Sequence, residues 1–126
     1  MSNDSFLAAK ETDTLTVTQF VLDDDVKTEP GTLASGQNLA QYTVVGRIAA
    51  SGLLTAWAVG ASDGSQLAVG ILVHSVNASG GNAACQIYKE GLFNKSMVVW
   101  PSGTSAQQNV AFDRTPIRLR TPGYSG

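Results

Sequence analysis

The stretch from Leu53 to Val76, LLTAWAVGASDGSQLAVGILVHSV, limits the folds open to this chain more than any other. Its second half, from Leu67 on, is apolar at nearly every position. It is β-branched at Val69, Ile71, Val73 and Val76, and only Gly70 and His74-Ser75 interrupt it. A short apolar run bounded by turn residues suits a strand covered on both faces better than a surface helix. Between the halves stands Ser62-Asp63-Gly64. Asp-Gly is a strong turn signal, because glycine accepts positive φ and aspartate can bond its own backbone. Before the turn, Leu54, Ala56 and Ala58 alternate weakly with Thr55 and Trp57. The pattern predicts a central hairpin, or near-hairpin, of a mainly β domain, with Asp63 and Gly64 as its structural turn.

Upstream, residues 1–14 are small and polar apart from Phe6, Leu7 and two alanines. Such a segment buries too little surface to offset its ordering entropy, which predicts mobility in the free protein. LTVTQFVL, Leu15–Leu22, is β-prone and runs straight into Asp23-Asp24-Asp25. It suits either an edge strand of the body or a strand that pairs when a partner offers an open sheet edge. The three aspartates lack the alternate spacing of a calcium loop and read as a solvated acidic turn. Pro30-Gly31 punctuates the chain and marks the expected start of the body.

Downstream, strands are predicted at Tyr42–Ala49, Ala84–Lys89, Met97–Trp100 and Ile117–Arg120, with turns at Asn77–Asn82 and Glu90-Gly91. Pro101 should end the third of these, since it cannot donate to a ladder. TSAQQNVAF, Thr104–Phe112, is the one helix candidate, with Thr104 or Ser105 able to cap it. TPGYSG reads as a frayed tail.

Groups able to do chemistry are sparse. The single histidine, His74, lies in a strand run without an evident orienting acid or nucleophile. The single cysteine, Cys85 in ACQIY, has no basic neighbour and reads as a small buried filler. One histidine and one cysteine cannot build a structural zinc site within one chain. VGASDGSQLAVG lacks the Gly-Lys-Ser/Thr of a phosphate loop. Neither a catalytic residue nor a cofactor or metal site is therefore expected. Asn77-Ala-Ser79 and Asn94-Lys-Ser96 match the glycosylation pattern, but the start of the chain carries neither a basic leader nor an apolar core of a secretory signal. Trp57 and Trp100 suit core or interface packing better than sugar stacking.

Composition now sharpens the choice. Charged residues make up 14% of the 126, against roughly 25% in an average soluble domain, which suggests that partners cover part of the surface. A net charge of −2 argues against a phosphate-binding face, so no direct nucleic-acid partner is expected. Gly60–Gln66 interrupts the only candidate membrane span. A lone cysteine fits a reducing compartment.

From Thr28 onward the chain resembles the lambda-type head decoration proteins of tailed bacteriophages. The resemblance rests on TEPGTLASGQNL (Thr28–Leu39), TVVGRI (Thr43–Ile48), ASDGSQLAVGIL (Ala61–Leu72), VNASGG (Val76–Gly81), NKSMVVWP (Asn94–Pro101) and Pro116–Arg120. It spans about three quarters of the chain. The resemblance implies a small β-rich, barrel-like (β-tulip) single domain with one short helix, made in the host cytoplasm and assembled as a homotrimer. Such trimers sit outside the expanded head at three-fold positions and clamp the coat protein against the pressure of packaged DNA. Residues 1–27 would then form a flexible coat-binding arm, with Leu15, Thr16, Val17, Thr18 and Phe20 as contacts. Residues 28–126 would form the body with its short C-terminal tail. Two other readings compete: a virion-displayed domain that binds carbohydrate or a host surface through Trp57, Trp100 and Tyr124, and a small hydrolase centred on His74.

Overall fold

Val44 and Val45 are both fully buried, yet they enter different cores. Consecutive side chains of a strand point to opposite faces, so a strand that buries both needs cover on both sides. The same holds for Ile71 and Leu72, which belong to the same two cores in the same order. This back-to-back burial is the organising feature of the fold in the computed structural model, which describes residues 19–22 and 25–121.

The strands are β1 (Lys27–Leu33), β2 (Asn38–Leu39), β3 (Val44–Arg47), β4 (Leu54–Ala56), β5 (Ala68–Leu72), β6 (Val76–Asn77), β7 (Ala83–Asn94) and β8 (Ile117–Arg120). The main sheet runs β1-β4-β3-β5-β7-β8, and a further β1–β7 pairing closes its first five strands into a barrel. β8 is appended in parallel to the far end of β7, and β2 pairs with β6 in a small separate sheet. The chain is thus mainly β, with one short α-helix among the described residues, α1 (Ser105–Val110).

Leu33, Val45, Leu54, Leu72, Cys85 and Ile87 come from all five barrel strands and form the barrel interior. The second core lies outside the barrel wall. There Val44, Ile71 and Phe93 are covered by Phe20, Trp57, Val98, Phe112 and Ile117. β7 serves both cores because it changes direction. Its first half pairs with β1 and its last four residues with β8. The register skips Lys89 opposite Lys27-Thr28, a bulge that bends the strand at the changeover.

Several expectations need correction. The two halves of the Leu53–Val76 stretch do not pair as a hairpin. β3 lies between β4 and β5 and bonds to both, because Gly64 turns the chain back along the end of β3. The run from Leu67 is a strand only to Leu72; His74 and Ser75 sit on an exposed bend. Glu90-Gly91 is no turn. Gly91 takes φ +144° inside β7, which lets the strand continue past its bulge. Pro30-Gly31 lies within β1, where that strand has a neighbour on one flank only, the setting in which a sheet tolerates proline. Met97–Trp100 forms no strand. Asn94 caps a 3₁₀ turn at Lys95–Met97, and Val99 alone bridges to Thr43. β8 and α1 stand where the alternation and the capping residues put them, with Thr104 as the cap.

Candidate interaction surfaces

Three places on the body bear on binding: the corner at Asn94 where Phe20-Val21-Leu22 meets β7 and β8, the Asp63-Gly64 turn, and an apolar groove beside α1.

At the corner, Phe20-Val21-Leu22 adds to β7 as a short antiparallel segment. Val21 bridges to Phe93, the Leu22 amide donates to the Leu92 carbonyl at 2.9 Å, and the Asn94 amide donates to the Phe20 carbonyl at 2.8 Å. The fully buried Asn94 also donates its side-chain amide to the Gln19 carbonyl at 3.3 Å. Its Oδ1 accepts from the Ser96 amide and hydroxyl at 3.1 and 2.6 Å. Asn94 lies opposite Arg120, the end of β8, so both Gln19 and Arg120 neighbour Asn94. The outer flank of β8 carries Arg118 and Arg120, exposed charges that discourage strand addition at an open edge.

Phe20, expected among the coat contacts, is only 4% exposed. Its ring stacks on Tyr42 and Phe93, and Tyr88 completes the cluster. A large aromatic at the edge of a β-wall gains more from this burial than from solvent, so packing on the body extends upstream of Thr28 to include Phe20. Leu15, Thr16, Val17 and Thr18 lie outside the described residues, as do Asp23, Asp24 and Tyr124.

The turn is tied down by its own side chains. Asp63 Oδ1 accepts from the Ser65 amide at 3.0 Å and from its hydroxyl at 2.6 Å. These bonds, the hydroxyl first, hold the Asp63 carboxyl below the usual carboxylate range. The Asp63 carbonyl accepts from the Ala49 amide at 2.8 Å, which fixes the loop to the end of β3. Gly64 sits at φ +109°, and a Cβ there would lie 2.6 Å from the Arg47 carbonyl oxygen. Only glycine fits both demands.

The loop after this turn presents Leu67 beside a groove of about 380 Å³. Leu67 is 53% exposed and Val110, at the end of α1, 58%. Trp57, Val59 and Ala111 complete the apolar lining, and Asp113 and Arg114 stand on the rim. α1 is held by a reciprocal cap, in which the Gln107 amide donates to Thr104 Oγ1 and the Thr104 amide to Gln107 Oε1. Trp57 is buried, meets Trp100 edge to face, and donates its indole N–H to the Gln66 carbonyl at 2.8 Å. Its ring is structural and offers no platform for a sugar. This groove escaped sequence reasoning, because Leu67 read as part of a buried strand and Val110 as part of the helix candidate. Their shared exposure depends on how α1 is laid against the barrel.

His74 is exposed on its bend, whereas Cys85 faces the barrel interior, where burial pushes its thiol up against a weaker pull from Arg47. The two therefore do not form a catalytic pair. Among the described residues no three His, Cys, Asp or Glu side chains are grouped to hold a metal, and no helix is long and apolar enough to cross a membrane.

Compared with known proteins, residues 10–118 match the family model described as bacteriophage lambda head decoration protein D. No curated protein matches the chain.

Proposed function

Because this chain belongs to the bacteriophage lambda head decoration protein D family, we propose that it is a structural virion protein that binds the outside of the expanded head as a homotrimer, at three-fold positions, and stabilises the shell against packaged DNA. Association with the phage capsid goes with family membership. The breadth of that match is the observation that carries the proposal. The low charge of the chain and its rigid two-core body support it.

In the proposed mechanism the residues before Gln19 form the coat-binding arm. Leu15–Thr18 adds a strand to an open edge of the coat, so that main-chain hydrogen bonds supply affinity. One such contact gains little once ordering entropy is subtracted. Three arms on one trimer make the second and third contacts intramolecular, raising avidity by roughly a hundredfold or more. The β7 anchor at Phe20-Val21-Leu22 shortens each tether, which keeps that effective concentration high. A protein that binds only the expanded lattice stabilises that state by mass action.

Co-sedimentation tests this. The full chain should pellet with expanded heads that lack a decoration protein and remain in solution with unexpanded ones. Equal partition in both cases would contradict the proposal. The carbohydrate-binding alternative gains nothing from Trp57, whose ring is buried.

A further inference from the structure

Resting on the homotrimer reading above, we infer that the groove holding Leu67 and Val110 is the surface on which three copies of this chain meet around their common axis. Three large hydrophobic residues are markedly exposed among the described residues, and two of them, Leu67 and Val110, share this groove. Val59 and Ala111 add to this apolar lining above the buried Trp57, with Gln66 and Gln107 among the polar residues of the groove. Exposed apolar surface of that kind marks an interaction site.

Charge on the rim selects a second copy as the occupant. Asp113 and Arg114 are adjacent, opposite in sign and exposed. Among the described residues neither makes an ion pair or a side-chain hydrogen bond within its own chain. In a closed ring of copies built on this groove, Arg114 of one copy pairs with Asp113 of the next. The rim thus carries both of the charges that such a pairing between copies needs.

Both apolar residues are already held in place. The Leu67 amide donates to the Gly64 carbonyl at 3.2 Å, in the clamped turn. Val110 stands two residues before the buried Phe112, which fixes the end of α1 to the outer core. Little ordering entropy is then lost when copies associate.

The test is mass by light scattering across a dilution series of the full chain, with melting followed in parallel. The unaltered chain should show three times 13.1 kDa. Leu67→Asp and Val110→Asp, each at a half-exposed position, should melt as the unaltered monomer does. Each should raise the concentration at which the trimer dissociates by about tenfold or more, as expected when a central interface contact is replaced by a charge. Asp113→Arg and Arg114→Asp should each weaken the trimer, and the double reversal should restore it, a readout that loss of folding cannot imitate. Trimers indifferent to all four changes would overturn the groove assignment while leaving the trimer intact. A monomer mass for the unaltered chain at every concentration would instead overturn the homotrimer reading itself.

Discussion

Phe20 stacks face to face on Tyr42, with ring centroids 3.9 Å apart and planes inclined by 12°. Tyr42 is the one non-glycine among the described residues with positive φ, at 70°. Its amide donates to the Leu72 carbonyl at 2.8 Å, and its carbonyl accepts from the Val99 amide at 2.9 Å. An unfavourable backbone conformation is therefore held by bonds on both sides and by a ring from the first described segment of the chain.

Phe20→Ala should destabilise the body by roughly 3–5 kcal/mol, the usual loss for a buried aromatic. Urea unfolding followed by tryptophan fluorescence would measure it. A shift within error would mean that Phe20 leaves the core in solution.

Truncation separates the two roles of the N-terminal region. A chain starting at Gln19 should keep its melting temperature and bind expanded heads much more weakly. A chain starting at Thr28 should lose stability as well, because Phe20 and the Val21 bridge go with it. Equal melting of the two shortened chains would remove Phe20-Val21-Leu22 from the body.

Much of this fold was legible in the sequence. β8 follows from the alternation in Ile117–Arg120, and α1 from Thr104 with Gln107 three residues later. The burial of both faces of β5 follows from its apolar run, which only Gly70 interrupts. What failed was pairing and continuity. Nothing local reveals that β3 comes between β4 and β5, since that depends on where the Gly64 turn is fixed. Gly91 and Pro30 read as breaks because glycine and proline usually are; here one supports a bulge and the other sits on a strand with a free flank. The candidate groove was illegible for a related reason. Exposure of Leu67 and Val110 is a property of α1 laid against the barrel, and neither residue differs in type from those in the core.

Gly64→Ala should cost roughly 1–3 kcal/mol for its backbone conformation alone, and more for the approach to the Arg47 carbonyl. Gly80→Ala is the control, since a Cβ there meets nothing within 4 Å. Thermal melting of the two variants side by side should show a clear drop for the first and little change for the second.

Asp63 makes part of the stability pH-dependent. Its carboxyl is held below the ordinary value of 3.8 by the Ser65 hydroxyl and amide. A carboxylate with a lowered folded-state value contributes stability that is fully present above the unfolded value and is lost as pH falls through the folded one. Asp63→Asn should therefore flatten the acid limb of a stability–pH curve below 3.8 and leave the slope of its neutral limb unchanged. An acid limb identical to that of the unaltered chain would show that the Asp63–Ser65 bonds do not persist in solution.

Cys85 should resist thiol reagents in the folded protein and react fully in denaturant, because it is 8% exposed and burial raises its thiol. Rapid labelling of the native chain would mean that the barrel opens.

The most direct test of the central claim is electron cryo-microscopy of expanded, undecorated heads incubated with the full chain. The proposed function predicts added density on the outer surface at the three-fold positions, into which three copies of the barrel fit. Smooth heads at saturating protein, or added density confined to other positions, would contradict it.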